Sequence, residues 1–130
     1  MEEHAIMEEH MGADRAPSRV EVLSREGVRV VVMTGEFDID HLGGLREALD
    51  PMAPEVSRYV LDVSGVTFTD STALSLMLQP ALTRPVILAG ELPRHLKRLL
   101  ELTGANRVFT MAPSVEQARM MAVPPHPRRA

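Results

Sequence analysis

The chain has 130 residues, 45% of them hydrophobic, and a formal net charge of −4 at pH 7. That length implies one domain with a single core, built mainly from Leu, Val, Ala and Met because aromatics are only 3%. The negative balance argues against a protein that tracks nucleic-acid phosphates, and the absence of Cys excludes disulfides, thiol nucleophiles and Cys-based zinc sites.

Residues 1–17 read as a disordered acidic extension. The tetrapeptide MEEH occurs at 1–4 and again at 7–10. One reading is a weak metal-binding tract using His4, His10 and nearby Glu; the other is a frayed acidic tail. A dependable metal site needs ligands held in fixed geometry, which favours the tail. The segment lacks the apolar core of a secretory signal. No apolar run approaches the roughly 18 residues of a membrane span. The expectation is a soluble cytoplasmic protein without membrane insertion.

The domain is expected over residues 18–121, with 122–130 a disordered tail rich in Pro. Residues 19–24 (RVEVLS) alternate with period two, and 28–34 (VRVVVMT) form a β-branched run. Glu26-Gly27 between them reads as a hairpin turn. The loop GEFDID follows, with Asp40 a plausible helix cap. Residues 41–53 carry Leu42, Leu45, Leu49 and Met52 at helical spacing, ending near Asp50 because of Pro51. Gly43-Gly44 suggests a loose first turn.

Strands are expected at 58–63, 85–89 and 107–110. Helices are expected at 71–79, stopped by Pro80, at 93–103 with Gly104 beyond its end, and from a Ser114 cap through Met121. The order is β-β-α-β-α-β-α-β-α. It predicts an α/β domain with a small, mixed, mostly parallel sheet and helices packed on one side.

The search for chemistry is mostly exclusive. There is no G-x-S-x-G elbow around Ser71, and His41 and His95 sit on apparent helices where they would be exposed. There is no phosphate-binding Gly-rich motif, and Arg94, His95, Lys97 and Arg98 read as a solvated basic helix face. No cofactor or metal is expected. What remains is Asp70-Ser71-Thr72 at a helix start beyond the end of a strand. Either Asp70 or Ser71 is simply the cap, or Asp70 caps and the two hydroxyls are surplus. A helix N-terminus tolerates added negative charge, so a serine there can accept a phosphoryl group with little damage to the fold. The helix that follows is apolar nearly all round. It is either fully buried or offers an apolar face to a partner.

These residues resemble a known family. Residues 34–38 (TGEFD), 61–74 (LDVSGVTFTDSTAL), 92–104 (LPRHLKRLLELTG), Phe109 and 114–118 (SVEQA) are similar, in order and spacing, to STAS domains of bacterial anti-sigma factor antagonists. The resemblance implies a partner switch by a protein that is not itself an enzyme. The unphosphorylated antagonist binds an anti-sigma factor that is also a serine kinase with bound ATP, and so frees a sigma factor. Phosphorylation of the serine of the D-S-[ST]-G motif, here Ser71, ends binding, and a serine phosphatase resets it. The resemblance assigns Asp38, Asp70, Thr72, Ala73 and Leu76 to the kinase contact. Two departures stand out: Ala73 replaces the motif's Gly, and the segment from Ser71 to the next strand is short. An alternative within the same fold is a STAS interaction module that does not switch, serving as a signalling scaffold or as a soluble subunit of a lipid-transport complex.

Overall fold

Glu26 and Gly27 turn the chain through positive φ, 53° and 81°. That pair of left-handed residues matches the twist of the strands it joins. It connects β2 (Ser18–Arg25) to β3 (Val28–Phe37), antiparallel from Arg25 opposite Val28 to Arg19 opposite Thr34. The hairpin expected from the sequence is therefore present in a computed structural model that describes residues 2–9 and 18–123.

The N-terminal segment departs from the expected frayed tail. Glu2–Glu9 form strand β1, which pairs antiparallel with β2 along its whole length. The charges suggested a solvated tail, but a strand needs only a partner's free backbone groups, and the outer edge of β2 supplies them. Of the suggested metal tract, His4 contacts the Glu21 carboxylate across the two strands, while His10 lies outside the described residues.

From β3 onward every strand is joined by a helix. The order is β3, α1 (Gly43–Ala48), β4 (Arg58–Thr69), α2 (Ser71–Leu78), a 3-10 turn (Gln79–Leu82), β5 (Val86–Ala89), α3 (Arg94–Thr103), a 3-10 turn (Ala105–Arg107), β6 (Thr110–Ala112) and α4 (Val115–Met120). The six described strands form one sheet in sequence order, with parallel pairing from β3 to β6. Consecutive right-handed crossovers moving in one direction place their helices on one face. Accordingly Leu45 of α1 and Leu49 just beyond its end, Met77 of α2, and Leu96 and Leu100 of α3 join Val31, Leu61 and Leu88 in one core.

The expectation of helices on one side fails for α4. Its Ala118 joins Val30, Val60 and Ile87 in a second cluster on the opposite face. No strand follows α4, so no crossover constrains it. Arg58 ties it down by donating to the carbonyls of Ala118 and Met121 at 3.0 and 2.8 Å. Val123 packs with this second cluster, and residues 124–130 of the expected tail lie outside the described residues.

Two boundary differences matter for the site. The helix expected over 41–53 is only Gly43–Ala48, which leaves His41 and Leu42 in a loop. The strand expected to stop at Val63 continues to Thr69. Register shifts between Val32/Thr34 and Gly35/Glu36 give β4 an extra residue at each place, and such bulges let pairing resume past Ser64-Gly65. This extension delivers Ser71 to the carboxyl end of the parallel strands.

Candidate functional site

Asp70 organises this end of the sheet. It is the cap of α2, and its Oδ1 accepts the Ala73 N–H at 2.9 Å. Its Oδ2 accepts the Ile39 N–H at 3.0 Å, and its own N–H donates to the Phe37 carbonyl at 3.1 Å. One residue therefore fixes the α2 start and clamps the β3–α1 loop on both sides of Asp38. The Asp38 carboxylate in turn accepts the Asp40 N–H at 2.9 Å and a hydrogen bond from the His41 ring at Nδ1, while the Asp38 carbonyl accepts the His41 N–H at 2.9 Å. The loop that carries Asp38 is thus held against Asp70, the neighbour of Ser71.

Ser71 is the first residue of α2 and is exposed. Its carbonyl accepts from the Ser75 hydroxyl at 3.0 Å. Its own hydroxyl makes no hydrogen bond to the described residues, because Asp70 has taken the capping role. Thr72 is half-buried. Ala73 and Leu76 are 0% and 4% exposed and belong to the core under the sheet. The surface around Ser71 is therefore made by other residues, and the Ala73 methyl points away from solvent. Leu74 and Met77 are also buried, while Ser75 and Gln79 follow Ser71 along the exposed face. Of the two readings of this apolar helix, the structure bears out burial: its open face is polar.

Two further residues flank the site. Ile39, in the loop held by Asp70, is 66% exposed. Phe68, two residues before Asp70, stacks on His95 with ring centroids 6.2 Å apart and planes 11° apart. Loss of hydration lowers the His95 pKa below the ordinary histidine value. The expected exposure of the two histidines is corrected here: His95 is half-buried, and His41 is buried, 2% exposed. The His41 ring at Nε2 and the Thr69 hydroxyl are buried without a hydrogen-bond partner among the described residues. The sequence reading missed His41 because helical spacing placed it on a helix. The available signal was the D-x-D-H spacing, which lets a side chain reach back three residues to a carboxylate. Arg94, Lys97 and Arg98 are exposed on α3, in agreement with a solvated basic face.

A strand-end serine on a capped helix, clamped to an acidic loop, is the arrangement that the motif resemblance implied. A family model described as "Mlab, STAS domain" matches residues 21–113. The chain belongs to the STAS domain family. The same fold is found in an anti-sigma factor antagonist from Mycobacterium paratuberculosis, with a TM-score of 0.68 and 23% identity over 84% of this chain and 96% of that one. The unphosphorylated form of the anti-sigma factor antagonist SpoIIAA matches with a TM-score of 0.59 and 16% identity, over 78% of this chain and 94% of that one. The phosphorylated form of SpoIIAA, described as a Bacillus cell fate determinant, matches with a TM-score of 0.60 and 18% identity, over 77% and 96%. At these identities the likeness concerns the fold. No curated protein sequence matches this chain. The STAS sheet here holds no helix long and apolar enough to cross a membrane among its described residues.

Proposed function

We propose that this STAS domain is a phospho-regulated anti-sigma factor antagonist. Unphosphorylated, it binds an anti-sigma factor that is also an ATP-bound serine kinase, and a sigma factor is released. Phosphorylation of Ser71 ends binding, and a serine phosphatase restores it. The observation that carries the reading is the unengaged, exposed hydroxyl of Ser71 at the first position of α2, beside an aspartate that already caps the helix. A phosphoryl group there adds about −1.5 to −2 charges and three acceptor oxygens. Asp70 is adjacent to that position, and Asp38 and Asp40 flank the Ile39 N–H that Asp70 holds, so the modified surface repels a kinase's nucleotide phosphates. Asp38, Asp70 and Thr72 are the residues we assign to the contact; Ala73 and Leu76 support it from the core.

The test is affinity purification of the tagged full chain from its own organism, with phosphosite mapping. Phosphate on Ser71 and a kinase recovered with the unmodified form alone are expected. Ser71→Ala should hold the kinase constitutively, and Ser71→Asp should release it. A folded Ser71→Ala chain that fails to bind would count against the switch. A second reading, a STAS interaction module that does not switch, is favoured by the Mlab description of the matching family model. Its signature would be an unmodified Ser71 and a stable complex insensitive to Ser71→Asp.

A further inference from the structure

The loop between β3 and α1 combines opposite exposures. Ile39 is 66% exposed and Asp40 is exposed, yet the next residue, His41, is 2% exposed. The loop turns inward at His41 and continues into the core with Leu42. His41 makes two bonds to the same residue: its ring bonds the Asp38 carboxylate through Nδ1, and its backbone N–H bonds the Asp38 carbonyl at 2.9 Å. The Asp38 carboxylate oxygen that receives the ring also accepts the Asp40 N–H. Asp70 then holds the residues on either side of Asp38, through the Phe37 carbonyl and the Ile39 N–H. Two sets of hydrogen bonds, Asp70 to Phe37 and Ile39 and His41 to Asp38, thus meet through the backbone on either side of Asp38 and link the neighbour of Ser71 to a buried imidazole.

That imidazole is a poor choice for packing alone. Its Nε2 is buried without a hydrogen-bond partner among the described residues, and an orphaned polar atom costs stability that an apolar side chain would not. A group that spends stability while fixing a loop at a candidate site fits a functional constraint better than a structural one. We infer that His41 is a positioning residue of this site: through Asp38 it locks the loop onto Asp70 and so sets the surface that the kinase meets around Ser71. The inference rests on the partner-switching reading for its consequence, though the locking itself is independent of any kinase.

The geometry separates the variants chemically. The amide nitrogen of Asn overlays Nδ1, so His41→Asn retains the donor to Asp38. The amide of Gln reaches the position of Nε2, so His41→Gln loses that donor. His41→Phe loses it and also removes the orphaned nitrogen. The experiment uses the full chain in its own host and reads three quantities. They are the phosphorylated fraction of Ser71 by intact mass spectrometry, the melting temperature, and hydrogen exchange at the Ile39 and Asp40 amides.

His41→Gln and His41→Phe should lose roughly tenfold or more in Ser71 phosphorylation, the scale set by a small misplacement at a reacting group. They should exchange faster at Ile39 and Asp40. His41→Phe should melt no lower than the parent chain, and His41→Asn should behave as the parent in all three readouts. A purely structural histidine predicts another result: phosphorylation and melting temperature falling together, with Asn no better than Gln. That outcome, or unchanged amide exchange in both Gln and Phe variants, overturns the proposal. If the parent chain is never phosphorylated but the exchange pattern appears, the locking role is supported and the kinase reading fails instead. Should the Phe variant not fold, the Asn–Gln contrast decides alone.

Discussion

Asp70 is the side chain whose removal the structure prices most directly. Asp70→Ala deletes two acceptors at once: one for the Ala73 N–H and one for the Ile39 N–H. Loss of an N-cap aspartate costs about 1 kcal/mol. A backbone N–H to a carboxylate is worth about 1.5 kcal/mol, less at an exposed position such as Ile39. The sum is ~2 kcal/mol. At roughly 3–5 °C per kcal/mol for a chain of this size, the melting temperature should fall by roughly 6–10 °C. Asp70→Asn divides the effect, because Asn caps a helix as well as Asp. Its single carbonyl oxygen serves one N–H while its amide group faces the other, so a loss of about 1 kcal/mol is expected. The assay is urea unfolding monitored by circular dichroism, with hydrogen exchange of the Ile39 amide as the local probe. An Asp70→Ala chain within about 0.5 kcal/mol of the parent, or an Asn variant as damaged as the Ala variant, would refute the two-bond account.

Two further outcomes follow from the same geometry. His95 titrates lower in the folded chain than in the unfolded one because its ring is desolvated. Between those pKa values the unfolded chain holds the extra proton, so the His95 contribution is whole above about pH 6.5 and is lost as pH falls below it. Melting curves from about pH 7.5 to about pH 5.5 should show a fall that His95→Phe reduces while preserving the stack on Phe68; an unchanged slope in the variant would count against this assignment. Deletion of residues 1–9 removes a strand paired along the full length of β2. It should lower the melting temperature by more than about 4 °C and expose an edge that promotes self-association in light scattering. An unaltered monomer with an unaltered midpoint would show that β1 contributes nothing to the sheet.

The parts of this fold legible in the sequence are those set by local chemistry. Glu26-Gly27, the Asp70 cap, the Ser114 cap and the Gly104 helix end each depend on a few adjacent residues, and each is found where expected. The parts that were not legible depend on distant partners. Charge made 2–9 look like a tail because nothing local reports the free edge of β2. Ser64-Gly65 made β4 look short because bulges are visible only against β3. The side taken by α4 is not set by any crossover, since no strand follows it, and nothing local reports the apolar face it covers. At the site, Asp38, Asp70 and Ser71 were readable as a motif. The inward turn of His41 was not, since a periodic Leu pattern assigned it to a helix whose first turn Gly43 delays.

On the proposed reading, a phosphoryl group on Ser71 controls binding while leaving the fold alone. At the start of α2 a new negative charge gains about 1 kcal/mol from the helix dipole. Against it stands Asp70, one residue away; at about 6 Å in water a dianion and a carboxylate repel by roughly 1.4 kcal/mol. The two nearly cancel, so a phosphorylated domain keeps its sheet and its helices. At a closed interface the balance changes, because water is excluded and the effective dielectric falls. The same dianion facing one partner anion at that distance then costs roughly 5.5 kcal/mol at an effective dielectric of about 20. That cost appears only when a partner covers Ser71. On the proposed reading, the switch therefore resides in the solvent that binding removes, and the buried Ala73 and Leu76 need only keep the helix in place while it acts.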